Sequence, residues 1–83
     1  MATMMQIDSV YTMLDGVFRS VFEEPVVLSP ELSAKDVDEW DSLTHLRLML
    51  TVEKVFKVKF SASEIGNLKN VGELAQLIQT KSQ

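Results

Sequence analysis

The stretch WDSLTHLRLML, Trp40 to Leu50, opens on an acid and a serine and then runs into closely spaced leucines. Its reading decides the fold. A helix turns about 100° per residue, and the apolar positions after Ser42 fall on two arcs of such a helix. Leu43, Leu46 and Leu50 share one side. Leu48, Met49, Val52, Val55 and Phe56 cover a broader arc roughly opposite. Two readings of this pattern are open: a central helix buried all round, or a helix with one core face and one face that meets a partner.

The boundaries of that helix are written in the neighbouring residues. Asp41 is the expected N-cap, because a carboxylate there accepts from free backbone N–H groups and suits the positive end of the helix dipole. The helix is expected from Ser42 to about Phe56, with Lys54 and Lys57 complementing its other end.

Upstream, Ile7, Val10, Leu14, Val17 and Val21 recur at steps of three and four, which predicts an amphipathic helix. Thr3 and Gln6 have the capping-box form, placing its start near Met4, and Pro25 requires it to stop by Glu24. From Pro25 to Asp41 no period is sustained, so a long loop with apolar anchors is expected, with one short helical turn at Ser29-Pro30. Trp40 is expected to fold back and pack this loop against the start of the second helix.

Downstream, Lys57-Val-Lys-Phe60 alternates but is too short and unpartnered for a sheet, and reads as an extended link. Ser61 and Glu64 form a second capping box that starts a short helix toward Leu68. Asn70 caps a last helix with Val71, Leu74, Leu77 and Ile78 on one face, fraying after Thr80. The prediction is one all-α domain over residues 1–83, a small three-to-four-helix bundle with a long loop between helices one and two.

Composition narrows the chemistry. The 83 residues contain no cysteine, which removes disulfides and thiolate sites. No apolar run approaches the length of a membrane span, and the start lacks the basic flank and apolar core of a signal peptide. A cytoplasmic monomer is therefore expected. Residues 1–41 hold nine acids and two bases, and residues 42–83 three acids and six bases, so the charge changes sign at Ser42. An overall charge of −4 argues against nucleic acid as a partner.

Ser42, His45 and Asp41 or Asp38 do not spell a hydrolase, since a triad needs a base that meets the serine and an oxyanion hole facing the substrate. No nucleophile elbow is present, and His45 reads as a solvated or boundary residue. A single histidine with scattered carboxylates gives no metal-ligand spacing, and the acidic run Asp36–Asp41 lacks the glycine and glutamate of a calcium loop. Modification is the remaining chemistry. A phosphate ester on Ser42 would sit at a helix N-terminus, where the dipole favours negative charge.

At Asp41-Ser42-Leu43 the chain resembles the acyl carrier proteins, whose second helix begins with Asp-Ser-Leu. The resemblance spans nearly the whole length, through the long loop, Trp40 to Leu43, Glu53 and Phe56, and the NVGELAQLI that opens the last helix. It implies that Ser42 carries 4'-phosphopantetheine, donated from coenzyme A by a phosphopantetheinyl transferase, beside the helix cap Asp41. The arm's thiol would carry acyl groups as thioesters to acyl-loading, condensing or acyl-transfer enzymes of a fatty acid, polyketide or related pathway. The protein itself would catalyse nothing. Leu43, Leu46, Arg47 and Leu50 map onto the partner-binding face of the family. One departure stands out: Thr44, Arg47 and Lys54 occupy positions where acids are common in fatty-acid carriers. The alternatives are a dedicated carrier for a short, hydroxylated or amino acyl unit, or an arm-less interaction module.

Overall fold

The computed structural model describes residues 6–81. Among them are four α-helices, α1 (Ile7–Val21), α2 (Ser42–Phe56), α3 (Ala62–Asn67) and α4 (Val71–Lys81), with a 3-10 turn at Ala34–Asp36 and no strand. The expected all-α bundle is what forms. α1 packs on both α2 and α4, and the core lies between them.

The core follows the apolar spacing with a few substitutions. Val10, Leu14 and Val17 of α1 are buried as the periodicity predicts, whereas Ile7, the first residue of the helix, stays 37% exposed. Phe18, outside that periodic set, is buried as well and stacks on Phe22 at 5.3 Å. On α4 the buried set is Val71, Leu74, Ala75 and Ile78, while Leu77 is only half-buried. On α2, Leu48, Met49 and Val52 are fully buried, and each contributes roughly 1.5–3 kcal/mol by leaving water. Val55, expected among them, is 41% exposed because it sits at the margin of that arc.

Several boundaries differ from the sequence expectation. α1 begins at Ile7, not near Met4, because Gln6 is already extended (φ −67°, ψ 139°) and makes no side-chain cap. Thr3, its expected capping partner, lies outside the described residues. Ser29-Pro30 forms a turn closed by Leu32 N–H donating to Ser29 O at 3.1 Å, and the 3-10 turn follows at Ala34, where Ser33 and Asp36 make a capping box. The helix end at Phe56 is set by Lys57, which adopts the left-handed conformation (φ 58°) so that Val58 N–H can reach Glu53 O. α4 runs to Lys81, whose ammonium pairs with Glu64 of α3 at 3.0 Å, so it does not stop at Thr80.

The long loop is held by backbone groups that a helix start leaves free. The first N–H groups of α4 have no partners within the helix. Val71 N–H donates to Leu32 O (2.9 Å) and Gly72 N–H to Pro30 O (3.0 Å), while Glu73 N–H takes the Asn70 side chain (2.8 Å). The loop thus completes the cap of α4. Gly72 is required by this approach, since a Cβ there would lie 3.0 Å from Pro30 O and 3.2 Å from Pro30 Cβ.

Gly72→Ala sets a helix-propensity gain of about 1 kcal/mol against an overpacking cost of about 1–3 kcal/mol. The clash is with backbone that is itself hydrogen-bonded, so the cost wins. Urea unfolding should show a net loss of about 1 kcal/mol; equal or greater stability would show that the loop yields freely.

Candidate functional site

The start of α2 is built by local chemistry first. Asp41 is extended, and its Oδ1 accepts from Thr44 N–H at 2.8 Å, with His45 N–H closing the first turn onto Asp41 O. The Thr44 N–H bond, foremost, holds the Asp41 carboxyl below its ordinary value. Ser42 is the first helical residue and is exposed. Its hydroxyl makes no hydrogen bond among the described residues, so the oxygen is open to an incoming reagent.

The loop that leads to Ser42 is nailed down by Trp40, which is 7% exposed. Its indole meets Phe18 edge-on at 5.5 Å and Phe22 at 5.9 Å, so its aromatic partners lie on α1 and at the residue that ends it. Trp40 Nε1–H donates to His45 Nδ1 at 3.0 Å, and His45 Nε2 lies 3.0 Å from Ile65 O. An indole N–H only donates and a carbonyl only accepts, so His45 holds the neutral Nε2–H tautomer. The imidazole therefore ties the loop, α2 and α3 together.

Of the two readings of His45, it is the boundary residue and not a solvated one. It is partly buried and both ring nitrogens are used. Neither is directed to Ser42, so the serine has no base at the position a triad requires. The signal that sequence reasoning missed was the five-residue spacing from Trp40 to His45 across a helix start, which brings the two rings to 6.1 Å.

The remaining residues divide by face. Leu43, Leu46 and Leu50 are 66%, 47% and 55% exposed, which decides between the two readings of the helix in favour of one core face and one outward face. Arg47 and Lys54 are exposed on the same stripe and form no ion pair among the described residues. The one acid of α2, Glu53, is turned away to accept from Phe60 N–H at 2.7 Å. Beside Ser42 opens a cavity of about 410 Å³ between α2, α3 and the start of α4. Among the described residues no group of three or more ligating side chains is placed to hold a metal. No helix of the described residues is long and apolar enough to cross a membrane.

Neither a protein-family model nor a curated protein matches the sequence. The chain is similar to a holo acyl carrier protein from Geobacter metallireducens, known from a solution NMR structure. The two share 43% identity, the match covers 90% of this chain and 83% of that one, and the TM-score is 0.78. The chain belongs to the acyl carrier protein family.

Asp41 also sets an acid limit. A carboxyl lowered in the folded state contributes stability above its ordinary value of 3.8, and that contribution is lost as pH falls through the lowered value. Thermal melts from pH 6 down to about pH 2 should therefore fall less steeply for Asp41→Asn, which keeps a capping oxygen without titrating. Identical slopes would show that the cap carries no acid sensitivity.

Proposed function

We propose that this protein carries acyl intermediates as thioesters on a 4'-phosphopantetheine arm attached to Ser42, and presents them to biosynthetic enzymes without catalysing a reaction itself. The observation that carries this reading is the exposed, unbonded Ser42 hydroxyl at the capped start of α2 in a chain similar to a holo carrier. The residues present fit the group: the hydroxyl is unhindered and a cavity lies beside it. When bound, the arm supplies a thiol that this cysteine-free chain lacks.

Attachment forms a phosphodiester from the Ser42 oxygen as the bond to the departing adenosine bisphosphate half of coenzyme A breaks, the proton passing to the transferase. Asp41 holds the first turn of α2 in place during this exchange. Trp40 and His45 keep the approach to Ser42 from collapsing into the core. The carrier then works in the cytoplasm as a single domain, raising the local concentration of its tethered unit for each partner.

The outward face of α2 is read as the docking surface. Leu43, Leu46 and Leu50 supply apolar contact area, and Arg47 with Lys54 suits a partner whose rim is acidic. This favours a dedicated pathway over the partners that acidic second helices meet, because the face has no exposed acid of its own along α2.

Incubation with coenzyme A and a broad-specificity transferase should add one phosphopantetheine by intact mass, and Ser42→Ala should abolish the gain. An unmodified wild type, or modification that survives Ser42→Ala, would refute the attachment. With the enzyme that loads the carrier in its native cell, Leu46→Asp should lower kcat/KM by about tenfold or more, as expected for an apolar anchor at an interface centre. Arg47→Glu should weaken the same reaction most at low salt. An unchanged kcat/KM in both variants would remove α2 from the interface.

A further inference from the structure

Away from Ser42, the segment Pro25–Ser29 is built for a contact that the fold itself does not supply. It lies outside helix and turn, and its burial alternates: Val26 and Leu28 are half-buried against the core, while Val27 between them is 87% exposed. That order is the pleat of a strand lying on the bundle. The backbone N–H and C=O groups of Val26, Val27 and Leu28 have no partner among the described residues. A strand edge is left open.

Both ends of this edge are fastened. At its start Glu39 accepts from Glu23 N–H (3.1 Å) and Glu24 N–H (3.2 Å), and just past its end Pro30 O and Leu32 O are held by the first N–H groups of α4. A partner would meet backbone that is already ordered, so the entropy cost of pairing falls mostly on the partner. Pro25 and Pro30 bracket the edge and keep it short.

Charge decides what can lie along it. A groove of about 420 Å³ runs between the segment and the 3-10 turn with the residues that follow it, and Asp36, Asp38 and Glu39 line it. It contains no residue of α2, so this surface is separate from the outward leucine face. Residues 23–39 hold the acids Glu23, Glu24, Glu31, Asp36, Asp38 and Glu39 against one base, Lys35. A second copy of this chain would bring the same acids against these, and like charges across paired strands repel. A strand that alternates cationic and apolar residues fits instead. Its apolar side chains would lie beside Val27 on the outer face, and its cations would point into the groove.

We propose that Pro25–Ser29 is a second docking surface, which takes a short basic strand of a partner protein by β-augmentation. The partner's apolar residue covers Val27, and its lysines or arginines meet Asp36, Asp38 and Glu39. The surface works whether or not Ser42 bears an arm.

The test titrates the full chain with an end-capped peptide of alternating lysine and valine while backbone amide NMR is followed. The Val26, Val27 and Leu28 signals should move most, and a glutamate-valine peptide should leave them in place. The lysine-valine peptide N-methylated at every residue keeps its charge but cannot donate to the edge, and should bind about tenfold more weakly. Val27→Ser, at an exposed position whose loss leaves the core intact, should weaken the lysine-valine peptide about fivefold or more. Ser42→Ala should bind it as the wild type does, which keeps this result apart from the fate of the carrier reading. Equal binding of the methylated peptide, largest shifts at Leu43, Leu46 and Leu50, or no shift at millimolar peptide would overturn the proposal. So would dimerisation of the chain alone that Val27→Ser abolishes, since the edge would then belong to a second copy.

Discussion

The hydrogen bond from Trp40 to His45 is the joint on which the arrangement around Ser42 depends. It lets one indole serve two purposes, filling the space against Phe18 and Phe22 while its N–H finds a buried acceptor. Without that acceptor, burying the indole would cost the desolvation of a polar group. Without the indole, His45 Nδ1 would lose its donor. The second ring nitrogen then passes the constraint to α3 through Ile65 O. A loop of irregular backbone is in this way given a fixed end, and Ser42, two residues beyond Trp40, inherits that fixity.

Most of the architecture was legible because it rests on local chemistry. Asp41, Ser61 and Asn70 cap the helices they were expected to cap, and each does so through bonds to residues three positions on. The leucines of α2 divide between core and solvent as their angular spacing requires. What escaped was long-range. The docking of Pro30 and Leu32 on α4 involves backbone carbonyls, which carry no side-chain signature, and Gly72 marks it only once the approach is known. The role of His45 was hidden for the same reason, since one of its partners is a carbonyl twenty residues away. Ser42 itself stood out through its position at a helix start, and through likeness to a family more than through any chemistry of its own.

Charge and apolar contact are segregated along this chain in an unusual way. The acids gather before Ser42, and the first turn of α2 contains none. Glu53 is engaged in shaping the link to Phe60, so the outward face of α2 is left apolar and cationic. Under the proposed reading, the partners that such a face admits differ from those that an acidic helix would meet, by the sign of the long-range field as well as by the contacts made at close range.

The loop is fastened along its length by carbonyls of Pro30 and Leu32 on α4, and at its end by the indole of Trp40 in the core. A strap pinned in this way contributes little conformational freedom of its own. For a tethered cargo, the volume searched is then set by the tether and hardly at all by its root. Under the proposed reading, the statistics of encounter with a partner site become a property of the arm's length, while the protein contributes a fixed origin and a fixed direction of departure.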